Sequence, residues 1–377
     1  MPSSPATWVN TPAELLSHLP TTPARIGLDT EFIRERTYWP QLSLVQVAFD
    51  EGDPGAPRIL LLDMLQPGMP GALVPLLQDR AVTKVMHSAS EDLVALRHAC
   101  GALPEPLFDT QVAAGLAGVG AGVGYQRLVQ DLLGIAVDKG ETRSDWMKRP
   151  LSPAQLAYAA EDVRHLFALQ DALSAKLDAL GRRAWFEEDC ARMLETSRND
   201  QGERWPHLSL RSAQFLDEAG QRRLLRLLRW RDAQARRSDR PRTWVLDNEV
   251  AAAIAREAPA DREALERLLQ AYPKAPRKLA AQVWEALATP LPDEDQAPAP
   301  RTSERDRKAL RRLQDAVAER SGELGLPDGV LASRRWLESL LDGEDWPGVL
   351  SGWRRTQLEP ALAPLLEQVG EAGATSV

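Results

Sequence analysis

The sequence predicts an α/β domain followed by two all-α helical domains, on three observations. Short apolar, strand-like segments alternate with helix-like ones through the first 100 residues, strand signals nearly vanish after Asn199, and a proline-rich acidic stretch, Thr289-Pro-Leu-Pro-Asp-Glu-Asp-Gln-Ala-Pro-Ala-Pro300, divides the remaining helical sequence into two blocks. The boundaries that follow are 1–204 for the α/β domain, 205–288 for the first helical domain, 289–303 for a linker, 304–370 for the second helical domain and 371–377 for a tail.

Within the α/β domain, Arg25-Ile-Gly-Leu-Asp-Thr-Glu31, Leu42-Ser-Leu-Val-Gln-Val-Ala48, Arg58-Ile-Leu-Leu-Leu-Asp63 and Thr83-Lys-Val-Met-His87 read as strands, short and bounded by loops. A helix is expected near Gly71 to Gln78. Another follows His87, opened by a capping box, Ser88-x-x-Glu91, that puts Asp92 in its first turns. Gly115 to Gly124 holds five glycines without the i, i+2, i+5 spacing of a dinucleotide-binding turn, so it reads as a loop. From Ser152, with Pro153 at the first helical position and Gln155 three residues after the cap, one long helix is expected to reach about Leu180. Beyond residue 205, Arg240-Pro241, Pro259 and Pro273-x-x-Pro276 separate several helices.

Composition narrows the function classes. With 377 residues, 44% hydrophobic and 27% charged, the chain reads as globular and soluble. It has no run of about 18 apolar residues, and Met1 to Leu19 lacks the basic-then-apolar pattern of a secretory signal, so a cytoplasmic protein without a membrane partner is expected. Cys100 and Cys190 are the only cysteines, which suggests neither a disulfide framework nor a zinc site. The net charge of −8 argues against indiscriminate nucleic-acid binding. It is unevenly spread: residues 1–200 carry 18 basic and 26 acidic side chains, whereas 201–377 carry 28 of each. Gln221 to Arg242 alone holds nine arginines against Asp232 and Asp239. Leu224, Leu225 and Leu228 give that helix a core-facing stripe, and its arginines are either a solvated face or phosphate contacts, with Arg222, Arg226 and Arg229 as the candidates. Trp146 and Trp39 are candidates to stack bases, or are core residues.

Asp29 and Glu31 lie two apart on a strand and so project from one face, where they could share a metal ion, or else belong to a solvated face or to ion pairs with basic residues. Apolar residues around them (Ile26, Leu28, Phe32, Ile33) would make unpaired charge costly there, and a bound cation would relieve that cost. Asp92 is either a further acid of a site or a helix-dipole partner. Tyr158 and Asp162, four apart, share a helix face and could equally be structural. His87 and His165 lack a second histidine at ligand spacing and read as structural or supporting groups.

In order along the chain these are Leu-Asp29-Thr-Glu31-Phe, then His-Ser-Ala-Ser-Glu-Asp92-Leu, then Tyr158-Ala-Ala-Glu-Asp162. That series resembles the DEDD 3′–5′ exonucleases of the tyrosine-containing subgroup. Arg36-Thr-Tyr-Trp-Pro-Gln-Leu-Ser-Leu-Val-Gln46, Phe108-Asp-Thr-Gln111 and Asp138-Lys-Gly-Glu-Thr-Arg-Ser-Asp-Trp146 narrow the resemblance to the ribonuclease D family. The C-terminal half is similar to that family's two HRDC (helicase and RNase D C-terminal) domains, with Leu331-Ala-Ser-Arg-Arg335 and Ser351-Gly-Trp-Arg354 as the local matches in the second.

The resemblance implies a ribonuclease H-like α/β nuclease domain, with a mixed sheet and flanking helices, followed by two all-α HRDC-like domains. It implies two divalent ions, Mg²⁺ or Mn²⁺, with Asp29 bridging both, Glu31 and Asp162 completing one site, Asp92 supporting the other and Tyr158 orienting the attacking water. The implied reaction removes nucleotides from RNA 3′ ends, precursor tRNA among them, as 5′-mononucleotides by a monomeric enzyme. A DEDD enzyme acting on DNA and a catalytically silent RNA-binding protein are the alternatives. The helical half, lacking an acid cluster, is expected to supply RNA affinity and to be separable from the nuclease near Asp200.

Overall fold

The structure, a computed structural model, describes residues 6–19, 23–53, 56–137, 140, 144–199, 202–298 and 304–374. The flanks of Gly140 in the Asp138 to Trp146 motif, and the end of the 289–303 stretch, lie outside the described residues.

Up to Asn199 the elements are β1 (Thr7–Val9), α1 (Pro12–His18), β2 (Arg25–Ile33), β3 (Gln41–Phe49), β4 (Arg58–Asp63), α2 (Met69–Gln78), β5 (Thr83–Met86), α3 (Ser90–Cys100), β6 (Leu107–Asp109), α4 (Thr110–Leu116), α5 (Tyr125–Leu133), α6 (Pro153–Arg164), α7 (Leu166–Ala179) and α8 (Arg183–Arg198). Then come α9 (Glu218–Ser238), α10 (Arg242–Val245), α11 (Asn248–Glu257), α12 (Arg262–Gln270) and α13 (Ala280–Ala288), and finally α14 (Glu304–Leu324), α15 (Arg334–Leu341) and α16 (Trp353–Ala374). None of the described helices is long and apolar enough to cross a membrane.

The strands form one mixed sheet in the order β1-β4-β3-β2-β5-β6. β2, β3 and β4 run antiparallel in succession, while β1 joins β4, β5 joins β2 and β6 joins β5, all in parallel. The mixed sheet with flanking helices agrees with the expected fold class. β1 and β6 are each three residues long, too short to show a period of two, and they add to the four strands read from the sequence.

The chain divides into two compact units, one built of residues 6–33, 40–199 and 309–374, the other of 34–39 and 202–308. In the first, alternate residues of β2 to β4 serve opposite cores. Ile26, Leu28, Val45, Val47, Leu60 and Leu62 pack with Leu15 of α1, Met69 and Leu73 of α2, and Leu93 and Leu96 of α3. Leu44, Ala48, Ile59 and Leu61 face the other way, onto α4 to α8.

The last three helices complete that second core, contributing Leu313, Val317, Leu337, Trp353 and Leu358, with Leu350 from the connection between α15 and α16. Trp353 stacks on Trp185 of α8 with ring centroids 4.5 Å apart, and Arg354 donates from both Nη atoms to Asp189, at 2.5 and 2.7 Å. Asp189 also accepts from Trp353 Nε1 at 3.0 Å. Separability near residue 200 is therefore corrected: ending the chain there removes part of the first unit's own core.

The single helix expected from Ser152 to Leu180 is two. The Ser152–Gln155 capping box opens α6 as expected, but the helix breaks at His165. Tyr125 causes it: its hydroxyl donates to Glu161 O at 2.9 Å and accepts from His165 N at 3.0 Å, so it replaces the backbone bond between those two groups. At α3 the expected Ser88–Glu91 box is absent. Ser88 sits at φ 58°, the N-cap is Ala89, and the Ala89 N–H donates instead to Asp109 Oδ2 at 2.7 Å. The loop expected over Gly115 to Gly124 begins two residues late, because Gly115 and Leu116 still belong to α4.

In the second unit α9 is the central helix, with Leu224, Leu227 and Leu228 packed against Val250, Ile254, Leu265 and Val283. Segment 34–39 belongs here: Asp239 Oδ1 accepts from the N–H groups of Tyr38 and Trp39, both at 3.0 Å, and Arg242 Nη2 donates to the Tyr38 hydroxyl at 2.8 Å. The acids after α13 fold back onto α9, where Glu294 is buried.

Two outcomes test the shared core. Asp189→Ala, which leaves the buried Arg354 guanidinium without its carboxylate, should lower stability by about 3–5 kcal/mol in chemical denaturation. A chain ending at Asn199 should melt well below the full-length chain and bind a hydrophobic dye at temperatures where full-length protein does not.

Candidate active site

Asp29 and Glu31 lie on the face of β2 that α6 covers, because the two are separated by one pleat. Gly27, one pleat earlier, makes the close approach possible: a Cβ there would lie 3.1 Å from Ala48 Cβ and 3.2 Å from Leu166 Cδ1. With the helix seated this closely, Asp162 joins the pair, and ligand oxygens of Asp29, Glu31 and Asp162 lie within 4.8 Å of one another.

Asp92 arrives from the first turn of α3. Thr30, pointing to the opposite face from its neighbours, donates its hydroxyl to Asp92 Oδ1. The charge of Asp92 is close enough to raise the pKa of both Asp29 and Glu31. All four sequence-predicted acids thus converge on one end of β2, although Asp92 stands outside the tight group of three.

Burial governs their ionisation. Desolvation first, and then the neighbouring carboxylates, push Glu31 up to about 9 and hold Asp29 well above the ordinary carboxylate range. Burial also raises Asp92 to about 7, and Asp162 to about 7. None of the four is ion-paired with a lysine or arginine among the described residues. Such a site favours either protons or a cation.

Tyr158, one turn before Asp162, hydrogen-bonds to that carboxylate. Burial, and then the charges of Asp162, Glu31 and Asp29, raise its phenol pKa, so it remains a neutral donor. Gly140 lies against its ring, where a Cβ would stand 2.5 Å from Cδ2. Behind it is Trp146, ring centroids 6.1 Å apart.

Trp146 is only 3% exposed and so has no free face on which to stack a base. That candidate RNA contact is corrected to a wall of the tyrosine pocket. The arginine candidates lie in the other unit, each beside carboxylates. Arg226 donates to Glu294 at 2.6 Å and to Leu287 O at 2.8 Å, and Arg229 donates to Asp293 at 2.7 Å. Arg222 pairs with Glu218 at 2.5 Å and with Asp295 at 3.1 Å. Their charge is largely answered by carboxylates within the unit. Trp39 is half-buried there, with its Nε1 donating to Arg236 O at 3.4 Å.

Three residues at or near the site were not singled out from the sequence. Thr30 was visible as the middle of the Asp-x-Glu pattern. Tyr125 gave no signal of its helix-breaking role. Gln46, directly opposite Asp29 across β2 and β3, was visible as a polar residue within the apolar run Leu44 to Phe49. His87, read as a supporting group, accepts or donates at Nδ1 to the Thr110 hydroxyl, 2.9 Å away, and packs edge-on to Tyr125.

Residues 7–178 match the 3′–5′ exonuclease family, and residues 220–287 match the HRDC domain family. The chain is 61% identical over 362 residues to the ribonuclease D of Xanthomonas oryzae pv. oryzae, an alignment covering 96% of this chain and 98% of that one. It is 38% identical to the ribonuclease D of Granulibacter bethesdensis over 93% of this chain and 90% of that one. The crystal structure of Escherichia coli RNase D, an exoribonuclease involved in structured RNA processing, superposes with a TM-score of 0.78 at 30% identity, covering 97% of this chain and 99% of that one. With buried acids converging on one strand end, and with this identity over nearly its whole length, the chain belongs to the ribonuclease D family of 3′–5′ exoribonucleases.

Proposed function

We propose that the chain shortens RNA from the 3′ end by hydrolysing the terminal phosphodiester, that its product is a 5′-mononucleotide, and that precursor tRNA is among its substrates. The observation that carries this reading is the group of half-buried carboxylates at the C-terminal half of β2, without lysine or arginine partners among the described residues. Its donors are all oxygens, which suits Mg²⁺ or Mn²⁺.

In this reading Asp29, Glu31 and Asp162 hold one divalent ion, and Asp29, supported by Asp92, holds a second. The two ions supply charge stabilisation to the attacking and leaving oxygens. Thr30 fixes Asp92 by its hydroxyl. Tyr158 positions the attacking water, its phenol staying protonated because the surrounding acids disfavour a phenolate. The HRDC-like blocks 205–288 and 304–370 serve RNA binding, and the protein works as a cytoplasmic monomer.

The direct assay is digestion of a 3′-tailed tRNA and a sequence-matched DNA strand with Mg²⁺, Mn²⁺ or EDTA. RNA should be shortened from its 3′ end with release of 5′-mononucleotides, DNA much more slowly, and EDTA should stop the reaction. Preferential digestion of DNA would overturn the substrate assignment.

Asp29→Asn should reduce turnover by about 10³-fold or more, since several kcal/mol of charge stabilisation depend on that ligand. It should also raise the melting temperature of metal-free protein, for a reason whose sign is set by linkage. The folded-state pKa values of the acids lie above their unfolded values, so their favourable contribution is full below about pH 4 and is lost as pH rises through 7 to 9. In EDTA, wild-type stability should therefore fall between pH 6 and pH 9, the fall should be smaller in Asp29→Asn, and added Mn²⁺ should stabilise wild type most at the upper end.

Tyr158→Phe should keep metal affinity and lose roughly 10²- to 10⁴-fold in rate at saturating metal, as expected when a group that places a proton-bearing water is removed. Metal titration combined with single-turnover rates separates this from a ligand role, for which weakened metal affinity with an unchanged saturated rate is the contrary outcome.

A further inference from the structure

Gln46 sits in the middle of β3, fully buried, and both polar atoms of its side chain lack a hydrogen-bond partner. Buried amides are nearly always partnered, because leaving donor and acceptor unsatisfied away from water costs free energy that an apolar side chain of the same size would not incur. The strand around it is apolar: on the same face stand Leu44 and Ala48 along β3, and Leu61 directly across on β4. A leucine would suit this position better unless the amide serves something.

Register identifies what it faces. Gln46 is the direct cross-strand partner of Asp29, and directly opposed residues of antiparallel strands share a face, with Cβ atoms about 4.5–5.5 Å apart. Among its diagonal neighbours on that face, Gly27 and Ile59 offer no side-chain acceptor. Asp63, also diagonal, is already held by Arg149 at 2.6 Å and Gln66 at 2.9 Å. Of the remaining acceptors on β2, Glu31 is diagonal and Asp29 is directly opposite.

We propose that Gln46 is a positioning residue for Asp29: when that carboxylate holds a divalent cation, the Gln46 Nε2 donates to it and keeps its oxygens in the ligating orientation. The unpartnered amide is then half of an interaction that the cation completes. Partners of this kind, bonded to a ligand and not to the ion, typically change metal affinity 10- to 100-fold when removed. The inference rests on the metal-site reading given under Proposed function.

The test uses the full-length chain, Mn²⁺ alone as the probe and no RNA. Mn²⁺ binding is followed by electron paramagnetic resonance, and melting is followed in EDTA, for wild type, Gln46→Leu and Gln46→Met. The expected result is Mn²⁺ affinity weakened about 10- to 100-fold in both variants, with a metal-free melting temperature equal to or above that of wild type. A purely structural glutamine would give the reverse, a lowered melting temperature with unchanged Mn²⁺ affinity. That result, loss of fold in both variants, or full Mn²⁺ affinity in either folded variant, as expected if an internal water satisfies the amide, overturns the proposal. Wild-type protein that takes up no Mn²⁺ would overturn the metal-site reading itself and the inference with it, an outcome distinct from failure of the Gln46 role alone.

Discussion

Mutual repulsion among four carboxylates gathered at the C-terminal half of β2, Asp92 buried and the other three half-buried, is the constraint around which the first unit is built. Asp29, Glu31, Asp92 and Asp162 gain no lysine or arginine partner among the described residues, and burial lifts the pKa of each. Such a group stays together only if the backbone that carries it cannot move apart. β2 meets that need as an inner strand, paired on one side with β3 and on the other with β5. α3 and α6 hold the remaining two acids against opposite faces of the sheet, each anchored by its own apolar core. The rigidity comes from hydrophobic packing, and the chemistry comes from the charge that packing holds in place.

The second core has a consequence for how the chain folds. Residues 202–308 form most of a separate unit between two parts of the first, and the chain returns afterwards to finish the face bearing α6 to α8. Trp185, Asp189 and Phe186 of α8 face partners or neighbours more than 100 residues later in the sequence, including Trp353 and Arg354. During synthesis the Trp185 and Asp189 face of α8 therefore stays uncovered until the last helix has emerged, so the first unit cannot bury its full core domain by domain from the N-terminus. The composition break after Asn199 marks a change of secondary structure, whereas the compact units follow the later return of the chain.

What was legible in the sequence followed the range of the interactions. Asp29 and Glu31 were readable because a period of two is local, and the α6 start because a capping box spans three residues. β1 and β6 were too short to carry any period. The α3 cap was misread because its N–H is answered from Asp109, 20 residues later on the neighbouring strand β6, and the break after α6 was missed because the inserted hydroxyl comes from Tyr125, 40 residues earlier than His165. The arginines of α9 looked like an uncompensated basic stripe for the same reason. Their carboxylate partners, Asp293 and Glu294, lie 64 and 68 residues away, in a stretch whose prolines and acids suggested nothing to bury. Trp146 showed the limit from the other side: a tryptophan beside a site is equally readable as a stacking platform or as a wall, and only its burial behind Tyr158 distinguishes them.

Tyr158 shows how the same repulsion selects the chemistry of the remaining site position. A fifth acid placed one turn before Asp162 would add to the charge that β2 already concentrates. A phenol adds none, because the burial and the carboxylates that raise the acids raise its pKa as well. It therefore keeps its proton across any pH at which the acids change state, and can orient water without altering the charge available to a cation. Its place on α6 also ties it to Asp162, so the helix carries a carboxylate and a phenol of the site as one rigid piece. The Tyr125 hydroxyl fixes where that piece ends, since it holds both Glu161 O and His165 N immediately beside Asp162. Separation between the Asp162 carboxylate and the Tyr158 phenol is thus set by one turn of helix, a distance far less deformable than any loop could provide.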